Sequence, residues 1–239
     1  MYSIGIIQAR GGSKRIPKKN IKKLNGIPLI EYCIPPCLNS NLDYLMVSTD
    51  DSEIAAISKA CGADVPFVRP QNLSEDVASE LVTIHGVEWF LANHSQVPNV
   101  VVTIQPTTPF ITSEYINACL WELQRDPNIT SCITVQESTE PVEWMFHEDK
   151  DGKASKLISG ALNGSIGVSQ NLLKRYIPNG AVYATRTNTL LEQKTIISDS
   201  LRMVKMPLER SIDIDEPVDW HVAEAIGKCF NFFPEEKKR

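Results

Sequence analysis

Ser3-Ile4-Gly5-Ile6-Ile7-Gln8-Ala9 runs directly into Arg10-Gly11-Gly12-Ser13-Lys14-Arg15-Ile16-Pro17-Lys18-Lys19-Asn20. A short apolar run that closes on paired glycines reads as a buried strand delivering a loop to the edge of a sheet. Outward from it, residues 44–48 (YLMVS), 99–104 (NVVVTI) and 131–135 are further runs of this kind, and a short strand is expected at residues 65–68. Between them lie stretches of helical spacing. One starts at Pro28, one covers residues 52–60 behind a cap at Asp51 or Ser52, one carries Leu81, Ile84, Val87 and Leu91, and one carries Ile116, Cys119, Leu120 and Leu123 behind a cap at Ser113. Strands alternating with crossover helices predict an α/β chain, a mostly parallel sheet with flanking helices.

The rhythm changes between Glu137 and Pro178, where Pro141, Trp144, Phe146 and the turn Asp149-Lys150-Asp151-Gly152 sit among polar residues without α/β alternation. We expect one domain over residues 1–239, with an insertion at about 137–178. Sheet-like sequence resumes at residues 180–185 and 201–206. A closing helix is expected from Pro217, burying Val222, Ile226, Cys229 and Phe230, with a solvated tail from Pro234 to Arg239. Pro35-Pro36 should break the helix that begins at Pro28, because an interior proline removes a hydrogen bond and clashes with the preceding turn.

The chain has 239 residues, 42% hydrophobic and 22% charged, which is ordinary globular usage and excludes disorder, collagen-like repeats and coiled coil. A net charge of −5 argues against a general nucleic-acid binder, which needs a cationic face. The charge is unevenly placed: residues 1–30 hold seven basic and no acidic side chains, so residues 31–239 carry −12. No run approaches the roughly 20 apolar residues of a membrane span, and the first apolar run is too short for a signal-peptide core. The six cysteines show no CxxC pairing and are read as buried thiols in a reducing cytoplasm; the four scattered histidines do not suggest zinc.

The basic loop carries the first chemical signal. Glycines let backbone amides approach a phosphate, and the surrounding guanidinium and ammonium groups suit a polyphosphate. The spacing is neither GxxxxGK[ST] nor GxGxxG, so neither an ordinary ATPase loop nor a dinucleotide fingerprint is supported. The second signal is Ser211-Ile212-Asp213-Ile214-Asp215. In extended chain, residues two apart share a side, so Asp213 and Asp215 can face one hard cation while Ile212 and Ile214 face the core. Asp215 could instead cap the helix at Pro217, and the two roles can coexist. Glu216 and Asp219 read as first-turn acids that favour the helix dipole.

ARGGSKRIPKKNIKKLNGIPLI, VSTDD (47–51), VPFVRP (65–70), IQPTTPF (104–110), PNGAVY (178–183) and SIDIDEPVD (211–219) together resemble the CMP-sialic acid synthetase family, the acylneuraminate cytidylyltransferases. The resemblance implies a Rossmann-like fold and a homodimer built by an exchanged arm, matched to the irregular region at 137–178. It implies a reaction in which CTP and an acidic 2-keto-3-deoxy sugar give the CMP-sugar and pyrophosphate. By charge and family position Arg10, Lys14 and Lys19 take the triphosphate, with amides from Gly11, Gly12 and Ser13 and a polar contact from Asn20. Lys18, Lys22 and Lys23 are read as solvated. Arg10, Lys19 and Asp215 are the catalytic candidates, and Asp213 with Asp215 the ligands of a Mg²⁺ that takes its other ligands from the CTP phosphates. The resemblance further implies that Arg69 reads cytosine, that Asp76 and Ser79 lie near the nucleotide, and that Gln105, Gln170, Asn179 and Tyr183 serve the acceptor sugar. Helix initiation remains an equal reading for Asp76 and Ser79, and a core position for Tyr183.

The sequence departs from the family where arginine commonly precedes Gln170 and Pro178, having Ser169 and Ile177, and where Leu-Arg is frequent, having Phe110-Ile111. A sugar carboxylate would be expected to find a guanidinium, so a nonulosonate other than sialic acid stays open. Two rivals remain: a nucleotidyltransferase for an eight-carbon acid or another nucleotide, and a sugar-nucleotide-binding module without turnover.

Overall fold

In the computed structural model, which describes residues 1–159 and 172–234, the N-terminal apolar run is strand β1 (Ser3–Gln8). A hairpin follows, β2 (Lys23–Leu24) and β3 (Ile27–Pro28), turning on Asn25 and Gly26 at φ 47° and 88°. The chain continues through α1 (Ile34–Asn39), β4 (Tyr44–Ser48), α2 (Ser52–Ala60), α3 (Ser79–Asn93), β5 (Val100–Ile104), α4 (Ser113–Arg125) and β6 (Ser131–Glu137). It then forms β7 (Phe146–Glu148), β8 (Ala154–Lys156), β9 (Tyr176–Arg186), α5 (Thr187–Gln193), β10 (Leu201–Lys205) and α6 (Pro217–Cys229).

The central sheet has six strands in the order β10-β6-β9-β5-β1-β4. β1 is parallel to β4 and β5, β10 is parallel to β6, and β9 alone among these pairs runs antiparallel, against β5. Alternation along the strands splits the core. Ile7, Val100, Val102 and Ile104 meet α1, α2 and α4 through Ile34, Ile54, Ile116 and Leu120 on one face. Ile4, Ile6, Met46 and Val101 meet α3 and α5 through Ile84, Val87, Phe90 and Leu190 on the other. Each such side chain contributes roughly 1.5–3 kcal/mol on burial, which explains the nearly continuous apolar strands of a sheet covered twice.

Several expectations need correction. Residues 65–68 form no strand; a single bridge joins Met46 to Asp64, because Pro66 supplies no ladder N–H. The residue at the N-cap of α4 is Thr112, in extended conformation, and Ser113 is the buried first helical residue. α6 does start at Pro217, but it buries Trp220, Ala223 and Gly227 while Val222, Cys229 and Phe230 are exposed. The short side chains face inward because a Cβ at Gly227 would lie 2.6 Å from Asn25 Nδ2 and 3.2 Å from Phe110 Cζ. The break expected near Pro35-Pro36 falls slightly earlier: a 3₁₀ turn over Leu29–Tyr32 ends at Cys33, and both prolines occupy the first turn of α1, where their missing N–H groups are not needed.

By contacts the chain divides into Met1–Val135 with Pro178–Arg239, and Gln136–Ile177. Within the smaller unit β7 and β8 pair antiparallel across a turn in which Asp149 accepts the N–H groups of Asp151 and Lys153. Arg175 pairs with Glu143 at 2.8 Å and Lys174 with Glu137 at 2.9 Å. The six cysteines, all among the described residues, form no disulfide. No described helix is long and apolar enough to cross a membrane.

In the larger unit Arg186 closes the end of α4 by donating to the carbonyls of Leu123 (2.7 Å), Ile129 (2.8 Å) and Asp126 (3.3 Å). Arg186→Ala leaves these carbonyls without their charged donor and is expected to lower stability by about 2–3 kcal/mol, read from urea unfolding. A change within about 0.5 kcal/mol, the scatter of ordinary surface substitutions, would contradict the latch.

Candidate active site

A cavity of about 540 Å³ opens in the larger unit, past the carboxyl ends of β5, β1 and β4. Gln8, Arg10, Ser13, Lys14, Arg15 and Lys19 form one wall; Arg69, Asp76 and Ser79, then Gln105 and Thr107, then Asp213 and Asp215 supply the others. Adjacent parallel strands leave this crevice because their connections diverge to opposite faces of the sheet.

The basic loop is held by its backbone. Gly11 donates its N–H to Asp50 Oδ1 at 2.9 Å, and buried Asn20 donates its side-chain amide to the Arg10 carbonyl at 2.9 Å. Gly11 is required by proximity: a Cβ there would come within 2.9 Å of the Asp51 Cβ. Gly12 faces open space, and neither glycine lines the cavity, whereas Ser13 does. Asp51 is occupied separately, capping α2 by accepting the N–H groups of Glu53 and Ile54.

The loop cations divide into two groups. Arg10 and Lys14 both bond the Asp76 carboxylate, at 2.5 and 2.7 Å, and these hydrogen bonds, Lys14's first, hold its carboxyl down to about 2. Lys19 donates to the Ile214 carbonyl at 2.6 Å and to Asp215 Oδ1 at 3.3 Å. Arg15 reaches Asp215 Oδ2 at 3.6 Å and Glu216 at 3.2 Å. Lys18 pairs instead with Glu53, and Lys22 lies over the Trp220 ring.

Asp213 and Asp215 both line the cavity, and Ile214 between them is fully buried, as the two-residue spacing predicts. The segment is fixed by the Ile214 N–H donating to the Thr107 carbonyl at 2.8 Å. Surrounding protein raises the Asp213 carboxyl above the usual range, and the Asp215 charge adds to this while a Thr107 hydrogen bond opposes it. Gly180, at φ +77°, leaves room beside this group: a Cβ there would lie 3.2 Å from Asp213 Oδ2. Asp219 accepts the N–H groups of both Asp215 and Glu216, so the start of α6 does not occupy the Asp215 carboxylate.

Arg69, 4% exposed, donates through Nε and Nη2 to Ser48 and is held in the cavity wall. Burial lowers it to about 10 against the charge of Asp50, which leaves it cationic at neutral pH. Gln105 Nε2 donates to Ser79 Oγ at 3.1 Å, and Gln8 Nε2 donates to the Ser79 carbonyl at 2.8 Å and to Thr83 at 2.8 Å. Ser79 is the first residue of α3, whose cap residue Ala78 makes no side-chain bond, so the positive end of that helix meets the cavity.

Two expected sugar contacts lie elsewhere. The Asn179 amide is buried and committed: its oxygen accepts from Thr134 and its nitrogen donates to Ser211 and Met206. Tyr183 packs against the α3/α5 face of the core, and burial first, then Asp213, raises its hydroxyl. Gln170 lies outside the described residues. Conversely, Gln8, Arg15, Asp50 and Thr107 shape the site without having been singled out. Arg15 had a signal in its basic neighbours; Asp50 and Thr107 lie inside the quoted motifs VSTDD and IQPTTPF, but their contacts reach 39 and 106 residues away in sequence, so the motifs did not disclose their partners.

A family model described as "Cytidylyltransferase" matches residues 4–206. The pseudaminic acid cytidylyltransferase of Campylobacter jejuni is 30% identical over 95% of this chain and 97% of its own length. The CMP-N,N'-diacetyllegionaminic acid synthase of Legionella pneumophila is 29% identical over 95% of this chain and 96% of its own. N-acylneuraminate cytidylyltransferase B of Danio rerio is 32% identical over 99% of this chain, which spans 54% of that longer protein. Among solved structures, a CMP:2-keto-3-deoxy-manno-octonic acid synthetase complexed with CTP superposes with a TM-score of 0.70 at 14% identity over 96% of this chain and all of that one. At that identity the likeness is one of fold.

Proposed function

The chain belongs to the cytidylyltransferase family, and from that premise we propose that it transfers the cytidylyl group of CTP to an acidic 2-keto-3-deoxy sugar of the nonulosonate class, releasing pyrophosphate. The observation that carries this reading is the convergence of Arg10, Lys14 and Lys19 with Asp213 and Asp215 on one cavity beyond parallel strand ends. The anomeric oxygen forms a bond to the α-phosphorus as the α–β bridging P–O bond breaks, so the protein's part is mainly alignment and charge neutralisation. On this reading Arg10 and Lys14 take the β- and γ-phosphates, supported by their position in the cavity wall. Lys19, anchored by the Ile214 carbonyl, presents its ammonium beside Asp215, where the α-phosphate would be held. Arg69 supplies its remaining guanidinium donors to the cytosine edge, and Gln105 an amide to the sugar acid.

Asp213 and Asp215 fit one Mg²⁺: both are hard oxygen donors open to the cavity, and their mutual repulsion is relieved by a divalent cation. Among the described residues no group of three or more His, Cys, Asp or Glu is arranged for a metal, so an ion held here would complete its shell with phosphate oxygens and water. When bound, Mg²⁺ would neutralise charge on the transferring phosphate. We read the functional unit as a homodimer, supported by the smaller unit's exposed Phe146 (57%) and Leu157 (55%), apolar surface that a second copy would cover.

The acceptor is read as a nonulosonate, with N-acylneuraminate one candidate beside the pseudaminic and legionaminic types that the relatives' names carry. Pyrophosphate release with CTP and Mg²⁺ across these sugars and an eight-carbon acid tests the proposal. Turnover is expected on at least one nine-carbon acid. Preference for the eight-carbon acid would overturn the acceptor class, and tight CTP binding without any turnover would favour the non-catalytic module.

A further inference from the structure

Arg10 and Lys14 are both held by the Asp76 carboxylate, whose charge has the same sign as that of a triphosphate. We propose that Asp76 is a built-in anion, occupying these two cations between turnovers and competing for them with incoming triphosphate and departing pyrophosphate. The inference rests on the cytidylyl-transfer reading, since it assigns Arg10 and Lys14 to the phosphates.

Asp76 accepts from both groups at once, at 2.5 and 2.7 Å, through its two separate oxygens. An ionised carboxylate and phosphate oxygens are both negative and only accept hydrogen bonds, so they repel each other at these cations and compete for their charge, although each cation has further N–H groups. Release of Asp76 requires little rearrangement of the fold. Its side chain is more than half exposed, where ion pairs are weak and screened. The backbone bonds of Leu73, Ser74 and Val77 end on Pro70, Gln71 and Glu75, within the same short segment. α3 begins beyond it at Ser79 with Ala78, not Asp76, at its N-cap. Asp76 can therefore swing out without opening the sheet or the helix. A triphosphate brings several negative charges against one and wins at working concentration; after transfer pyrophosphate has lost the contacts made through the cytidine and the α-phosphate, and Asp76 competes with it for the two cations, which favours product release.

The test is Asp76→Asn, which keeps the shape and removes the charge. Calorimetric affinities for CTP, inorganic pyrophosphate and CMP are compared with those of the unmutated protein, with Mg²⁺ and in chelator. CTP and pyrophosphate are expected to bind about fivefold tighter. CMP, which lacks the β- and γ-phosphates, should be unchanged, and Asp76→Glu should stay close to the unmutated protein. Weaker CTP binding in Asp76→Asn would make the carboxylate an orienting group for Arg10 and overturn the proposal; so would equal affinity, and so would an effect confined to Mg²⁺, which would place Asp76 on the metal. If the unmutated protein binds no CTP, the cytidylyl-transfer reading fails; if it binds CTP and Asp76→Asn gains nothing, only the present inference fails.

Discussion

Asp215→Asn is expected to lower turnover by about a hundredfold or more, since several kcal/mol of charge stabilisation at the phosphates is lost with one carboxylate. The isosteric amide keeps the side chain's shape but withdraws half of the proposed Mg²⁺ pair. Lys19 then keeps the Ile214 carbonyl as its remaining described contact of the two. The magnesium concentration giving half-maximal rate should rise, a readout that a merely structural role would not move. The fold should survive, because the Asp215 carboxylate is more than half exposed and Asp219 holds the start of α6. Its stability should stay within about 1 kcal/mol of the unmutated protein, the range of an exposed ion pair. A normal rate in this variant would sink the metal assignment.

Arg10→Ala is expected to raise KM for CTP about 10- to 100-fold, the span of a charge-assisted hydrogen bond to a phosphate. Arg10 follows β1 after Ala9, and the peptide group that joins it to Gly11 is fixed at both its polar atoms, by Asn20 on the carbonyl and by Asp50 on the N–H. The guanidinium thus projects from a rigid base into the cavity. Arg10→Lys should recover only part of the loss, because an ammonium cannot grip two phosphate oxygens in the planar geometry of a guanidinium. Unchanged kinetics in Arg10→Ala would make the basic loop a bystander.

What the sequence disclosed and what it hid follow from the range of the interactions. Residues 44–48 and 52–60 are strand and helix to the residue, since a run of buried β-formers and an aspartate cap are local signals. Pro217 opens α6 for the same reason. The expected face of α6 differs from the observed one because Val222, Cys229 and Phe230 shared an apolar spacing, whereas the buried face carries Trp220 with two small residues, Ala223 and Gly227, the latter close against Asn25 and Phe110. The antiparallel insertion of β9 beside β5 was equally hidden, because strand order is set by contacts across the whole chain. In the site, charge placement identified the cavity's cations and the aspartate pair. Their actual partners did not follow from it: Lys19 meets Asp215 across 196 residues and Lys14 meets Asp76 across 62. The resemblance set Asn179 among the acceptor-sugar contacts, yet its amide is spent on Thr134, Ser211 and Met206 inside the core.

The most direct measurement follows the phosphorus itself. With protein, CTP, Mg²⁺ and a nonulosonate, ³¹P NMR should show the α-phosphorus of CTP moving into a new sugar phosphodiester, with pyrophosphate appearing in equal amount. Loss of CTP to CDP and phosphate, or an unchanged spectrum with CTP bound, would contradict cytidylyl transfer at this cavity.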